Sequence, residues 1–193
     1  MTGVVLCGGH SSRMKKDKGL LLFRDKTWAQ LAEEKLAALD LATIVSINPS
    51  QHTSYHIHFK AQQLTTDNAE LVGMGGPLLG LMSVHLSLPS ENLLALACDM
   101  PNMLVKILRE LLNQFNENPG IQAICFKHQN KVEPLCAVYT ASGLGKIFDL
   151  YQKKELKKNS MMYVLELLDA KYLVIENEEI SCFENFNSIA DLN

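Results

Sequence analysis

The sequence predicts an α/β fold of three layers, α/β/α, around a mostly parallel sheet, in a single domain spanning residues 1–193. Three observations carry that expectation. Short β-branched or apolar runs alternate with segments of helical periodicity, the order of a parallel sheet covered by helices. One segment near the middle has a sharply two-faced helical pattern. No Gly/Ser-rich or Pro-rich stretch divides the chain, since Pro89, Pro101 and Pro119 all fall at element boundaries.

Taken in order, the strand candidates are Gly3 to Cys7, Thr43 to Ile47, Leu93 to Cys98, Gln122 to Phe126, Leu135 to Tyr139 and Tyr172 to Ile175. The two-faced helix is expected over Met103 to Phe115, where Leu104, Ile107, Leu108, Leu111, Leu112 and Phe115 recur at helical spacing opposite Lys106, Arg109 and Glu110. A helix from Thr27 to about Leu39 has Thr27 as its N-cap. Another over Pro77 to Leu86 starts with Pro77, whose missing N–H costs nothing at a first helical position. Lys131 to Tyr139 reads as a hairpin return, and Lys153 to Lys158 as a basic, solvated helix face.

Composition narrows the function. With 193 residues the chain can bury roughly 70% of its unfolded surface, so it needs no disulfide or metal staple. A formal net charge of -3 argues against a nucleic-acid binder that works by bulk positive charge. The five cysteines, Cys7, Cys98, Cys125, Cys136 and Cys182, are odd in number and form no CxxC pair, which points to a reducing cytoplasm. Met1 to Val5 enters an apolar run with no basic region before it, and Leu93 to Cys98 is far short of a membrane span, so neither export nor a membrane anchor is expected.

Three segments carry chemistry. The first strand runs into Leu6-Cys7-Gly8-Gly9, then Ser11-Ser12-Arg13-Met14 and Lys15-Lys16-Asp17-Lys18. Gly8 and Gly9 lack Cβ atoms and let backbone N–H groups turn toward an anion, while Arg13 and Lys18 can neutralise phosphate oxygens, so a triphosphate is the natural guest. The spacing matches neither GxxxxGK[ST] nor GxGxxG. Asp99, in Ala97-Cys98-Asp99-Met100-Pro101, ends a buried strand where a carboxylate can hold Mg²⁺ against phosphate oxygens. A turn-forming Asp before a proline is the bland alternative, and its pairing with the glycine loop favours the metal. In the third segment Gly75-Gly76-Pro77 precedes a helix N-terminus, and Asp67 lies upstream as an acceptor for the N1–H and exocyclic amine of guanine, or as half of an Asp67-Asn68 turn.

Together these stretches, LCGGHSSRMKKDK, GPLLG, CDMP, PLCAVY and FENFNSIADL, resemble in order the motifs of the molybdenum cofactor guanylyltransferases, the MobA family. The resemblance implies a Rossmann-like nucleotidyltransferase sheet and transfer of GMP from Mg·GTP to the terminal phosphate of molybdenum-bearing molybdopterin. Carried onto this chain, it implies Leu6 to Gly8 as the nucleotide-binding turn, Lys18 as a phosphate contact, Asp67 as a nucleotide contact and Asp99 as the contact to GTP and Mg²⁺. Gly9, Gly76 and Pro77 join the expected nucleotide site, with Arg13, Lys18 and Asp99 catalytic. Asn185 and Asn187 match the terminal FxNxN pair toward the second substrate, structural asparagine turns being the alternative. The family glycine after Arg-Met is Lys15 here, and a family asparagine aligns with Ser46, with Asn48 two residues on.

His52 and His56 have zinc-like i, i+4 spacing, but no helix is expected there and no third ligand is evident. Met161 and Met162 read as core. The rival functions are a cytidylyltransferase for the same pterin, a sugar-phosphate nucleotidyltransferase, or a GTP-binding adaptor without turnover. Contacts with a molybdopterin-delivering or cofactor-accepting protein stay open, as does the oligomeric state.

Overall fold

The computed structural model describes residues 1–8 and 17–186. In chain order the strands are β1 (Thr2–Leu6), β2 (Leu22–Phe23), β3 (Lys26–Thr27), β4 (Ala42–Ile47), β5 (Leu64–Thr66), β6 (Leu93–Ala97), β7 (Ala123–His128), β8 (Lys131–Tyr139) and β9 (Lys171–Val174). The helices are α1 (Trp28–Ala37), α2 (His52–Tyr55), α3 (Pro77–Ser87), α4 (Val105–Asn116), α5 (Ala141–Gln152) and α6 (Met161–Leu167). A seven-stranded sheet runs in the order β5, β4, β1, β6, β8, β7, β9, and β2 with β3 forms a separate hairpin.

The sheet is mostly parallel: β1 pairs in parallel with β4 and β6, β4 with β5, and β7 with β9, while β8 runs antiparallel to β6 and β7. Every residue of β1 and β6 is buried, as strands covered on both faces must be. Successive side chains alternate between the two layers. Val5, Val45, Leu94 and Leu96 pack with Ala32 and Leu36 of α1 and with Ile107 and Leu111 of α4. Val4, Leu6, Leu93 and Ala95 pack with Leu78 and Leu81 of α3, Leu144 of α5 and Val164 of α6. This is the expected three-layer α/β/α arrangement.

The helix starts follow the local chemistry. Thr27 caps α1 through a reciprocal box: the Gln30 N–H donates to Thr27 Oγ1 at 3.2 Å, and the Thr27 N–H donates to Gln30 Oε1 at 2.9 Å. Gly76, at φ 64°, turns the chain into Pro77 at the head of α3. Gly80 lets α3 approach β4 closely, since a Cβ there would stand 2.5 Å from Ser46 Oγ.

Several expectations are corrected. The helix expected from Met103 begins at Val105, and Leu104, placed in its apolar stripe, is an N-cap residue 45% exposed. A short helix, α2, does form at His52–Tyr55, with the His52 and His56 rings 4.6 Å apart. The basic Lys153 to Lys158 stretch is not a helix face but the exposed link between α5 and α6, neither of which was anticipated. Gly143 and Gly145 weaken the helical signal in α5, yet Gly143 is needed, because a Cβ there would meet the Gln122 carbonyl oxygen at 2.8 Å. Met161 is core, whereas Met162 is 38% exposed. All five cysteines are free and buried, and among the described residues no helix is long and apolar enough to cross a membrane.

Candidate active site

From β1 the chain crosses through α1 toward β4 on one side, and from β6 it crosses through α4 toward β7 on the other. The connections leaving the carboxyl ends of these paired strands therefore run to opposite sides and leave a crevice between them, the usual ligand position in an open α/β sheet. Because Leu6 pairs with Ala97, Cys7 and Cys98 are the next residues on adjacent strands, and the Cys98 N–H donates to the Leu6 carbonyl at 3.2 Å. A hydrogen bond with Cys7, and then complete burial, push the Cys98 thiol well above its ordinary range. A protonated thiol is a poor nucleophile, so Cys98 packs beneath the crevice as core.

One wall is the turn after β1. The N–H groups of Cys7 and Gly8 both donate to the Ser46 carbonyl, at 2.9 and 3.1 Å. This corrects the expected anion-facing amide of Gly8: the parallel ladder continues past β1 and takes that N–H. A Cβ at Gly8 would make only ordinary contact, 3.7 Å from Asp67 Oδ1, which marks how near the turn lies to that carboxylate. Asp67 follows β5 and donates its own N–H to the Ile47 carbonyl at 3.0 Å, which brings its carboxylate beside Gly8. The loop from Asp67 to Gly76 and Pro77 is strapped from outside. Tyr151 donates to the Val72 carbonyl at 3.0 Å, and Asn159 donates to that of Gly73 at 2.7 Å.

The opposite wall is the turn after β6. Lys18 Nζ donates to Asp99 Oδ2 at 3.0 Å, and both side chains are partly buried, at 25% and 20% exposure. The Asp99 carbonyl accepts the Phe186 N–H at 2.8 Å, which brings the exposed Asn185 to the edge of the site. Lys35 reaches across from α1 and donates to the carbonyls of Pro101 at 2.6 Å and Met100 at 3.4 Å. Burial pushes the Lys35 amine down to about 8.

Leu6, Cys7, Gly8, Lys18, Asp67 and Asp99 thus gather around the ends of β1 and β6, with Asn185 at the edge, while Gly76 and Pro77 stand at the head of α3. Gly9, Arg13, Lys15 and Asn187 lie outside the described residues. Of the two candidates for the family asparagine, Ser46 has its Oγ buried against Gly80, while Asn48 commits its Oδ1 to the N–H and hydroxyl of Ser50. Sequence reasoning missed Lys35, Gln51, Tyr55 and the role of Asp17. Only Asp17 had a local signal, its position beside Lys18.

Among the described residues no group of three or more His, Cys, Asp or Glu is placed to hold a metal ion. One partly buried carboxylate, Asp99, instead suits a hard divalent cation that keeps water ligands and arrives on phosphate oxygens.

A glycine turn and a lysine–carboxylate pair thus stand on the two sides of a switch-point crevice in a three-layer α/β/α fold. The family model described as MobA-like NTP transferase domain matches residues 3–166, and the chain belongs to that family. It is 31% identical over 193 residues to the Flavobacterium johnsoniae protein named "Probable molybdenum cofactor guanylyltransferase", covering 100% of this chain and 95% of that one. It is 29% identical over 186 residues to the molybdenum cofactor guanylyltransferase of Campylobacter jejuni, covering 95% of this chain and 89% of that one. The crystal structure of molybdopterin-guanine dinucleotide biosynthesis protein A from Archaeoglobus fulgidus superposes with a TM-score of 0.78 at 22% identity, over 100% of this chain and 95% of that one.

Proposed function

We propose that this chain transfers GMP from Mg·GTP to the terminal phosphate of molybdopterin carrying molybdenum, forming the guanine dinucleotide cofactor and releasing pyrophosphate. The observation that carries the reading is the Lys18–Asp99 pair, 3.0 Å apart at the mouth of the β1/β6 crevice, with Asp67 beside Gly8 on the facing wall.

The acceptor's phosphate oxygen forms a bond to the α-phosphorus of GTP as the bond from that phosphorus to the bridging oxygen breaks, and pyrophosphate leaves with the electron pair. The nucleophile is already anionic, so no general base and no covalent enzyme intermediate are needed. What remains is positioning and charge. Lys18 neutralises phosphate oxygens, with Arg13 assigned the same task, and Asp99 is the protein ligand of Mg²⁺. The metal, when bound, supplies Lewis-acid stabilisation of the phosphoryl charge. Asp67 offers an acceptor-only carboxylate to the guanine edge. Asn185 and Asn187 are assigned to the pterin side. The cytoplasm is taken as the compartment, which the buried free cysteines support.

The test is incubation of the purified protein with Mg·GTP and molybdenum-loaded molybdopterin, reading pyrophosphate. Turnover with GTP is expected, with GTP binding at least about tenfold tighter than CTP, a difference of about 1.4 kcal/mol. Equal or reversed affinities would favour the cytidylyl reading, and binding without pyrophosphate the adaptor.

A further inference from the structure

Lys18 is a point charge on a flexible four-carbon stem, so its direction depends on how firmly its own backbone is held. That backbone forms a short 3-10 turn, Lys18–Leu20, whose N-cap is Asp17: the Gly19 N–H donates to Asp17 Oδ1 at 3.0 Å. The Asp17 carboxylate is held in turn from across the fold. Tyr55 Oη donates to Oδ1 at 3.1 Å, and Gln51 Nε2 donates to Oδ2 at 2.6 Å.

Gln51 does more than meet Asp17. Its Nε2 also donates to the Cys7 carbonyl at 3.2 Å, while its Oε1 accepts the Asn48 N–H at 2.8 Å. Both ends of the amide are committed, so its orientation is unambiguous: reversed, it would set oxygen against the Asp17 carboxylate. Tyr55 is fully buried and stacked on Phe59, with ring centroids 6.1 Å apart. Burial first, and then the neighbouring Cys7, Cys98 and Asp17, hold its hydroxyl well above the ordinary range, so it remains a donor. It also presses on the turn itself, since a Cβ at Gly19 would collide with Tyr55 Oη.

We propose that Gln51 and Tyr55 are positioning residues that act through Asp17 to set Lys18 against Asp99, so that the ends of β1 and β4 dictate where the phosphate-binding cation stands. The inference rests on the assignment of Lys18 and Asp99 to the nucleotide site. The clamp is long-range, Asp17 lying 34 and 38 residues from its two partners, whereas a turn capped by its own neighbours would need neither.

The test uses the full chain with Tyr55→Phe and Gln51→Leu, which keep side-chain bulk, each alone and combined with Lys18→Met. Thermal unfolding confirms that each variant folds. Calorimetric titration with Mg·GTP measures affinity, which requires no turnover, and pyrophosphate release gives kcat and the KM for molybdopterin. Each clamp variant should lower kcat about tenfold and leave the molybdopterin KM within about twofold, because what is lost is alignment at the α-phosphate. In the Lys18→Met background neither should weaken GTP binding further, the non-additivity of groups acting as one unit. Additive losses of affinity, or kcat within about twofold of the parent in both single variants, would overturn the clamp while leaving the nucleotide site intact. Unchanged GTP affinity and turnover in Lys18→Met alone would overturn the site assignment and the clamp with it.

Discussion

Lys18 Nζ and Asp99 Oδ2, 81 residues apart in sequence, meet at 3.0 Å, so the cation assigned to phosphate and the carboxylate assigned to metal are each other's partner. The pair stores both charges at the crevice in neutralised form. A nucleotide with its cation offers each a stronger partner, a phosphate oxygen for one and a divalent ion for the other.

Asp99→Asn removes the anion and keeps the shape. Turnover is expected to fall about a hundredfold or more, with loss of dependence on divalent metal, while urea denaturation shows a stability change of about 1 kcal/mol or less, as befits a pair still touched by solvent. Pyrophosphate assays across a Mg²⁺ titration check the first part. Normal metal-dependent turnover would reduce Asp99 to a turn residue.

Gly8→Ala separates fold from ligand. A Cβ at Gly8 makes only ordinary contacts, 3.7 Å from Asp67 Oδ1 and 3.8 Å from the Asn48 backbone nitrogen, so stability should stay within about 1 kcal/mol of the parent. GTP affinity should fall about tenfold or more if the nucleotide packs against the Gly8 backbone beside Asp67. Calorimetry on the folded variant decides, and unchanged affinity would move the nucleotide away from this wall.

Ser46 and Gly80 make a purely structural prediction. Among the described residues Ser46 Oγ is buried with no hydrogen-bond partner, so Ser46→Ala should be neutral or stabilising. Gly80→Ala should cost about 1–3 kcal/mol, because its Cβ would stand 2.5 Å from that oxygen. The double variant should recover much of the loss. Urea denaturation of the three variants tests the cycle, and strict additivity would contradict the contact.

Lys35 predicts a pH dependence. Burial lowers its amine from 10.5 to about 8 in the folded chain, so between those values the unfolded chain holds a proton that the folded chain has released. The contribution of this group to stability therefore rises with pH through that window, by at most about 1.4 kcal/mol per pH unit, and is flat below pH 8. Denaturation curves of the parent and Lys35→Met at pH 7 to 10 should diverge in favour of the parent as pH rises. Parallel curves would show that the hydrogen bonds to the Met100 and Pro101 carbonyls keep the ammonium charged.

The parts of this molecule legible in the sequence are those governed by local rules. Thr27 and Pro77 announce their helices because capping needs only a few consecutive residues, and β1 and β6 announce themselves because burial on both faces demands an unbroken apolar run. Asp99 is legible as a charge at the end of such a run, and Lys18 as a cation in the cluster that follows the glycine turn. Gln51 and Tyr55 did not, because a polar side chain that bonds a residue 34 or 38 positions away leaves no periodicity to read, and the histidines around them drew attention instead. Three-residue β5 and glycine-bearing α5 were missed because packing, rather than propensity, makes them.

The hydrogen bond from the Phe186 N–H to the Asp99 carbonyl also has a meaning in time. Phe186 is buried, with its ring edge-on to Trp28 at the head of α1, so this segment is anchored as well as bonded. A chain emerging from the ribosome can pair β1 with β6 and bring Lys18 to Asp99 while the clasp on the Asp99 turn is still about ninety residues from being made. The clasp comes later because Phe186 is synthesised after both strands, not because it spans more chain. The Asp99 turn is therefore among the last parts of the domain to be locked, and its backbone is tied directly to the segment that carries Asn185.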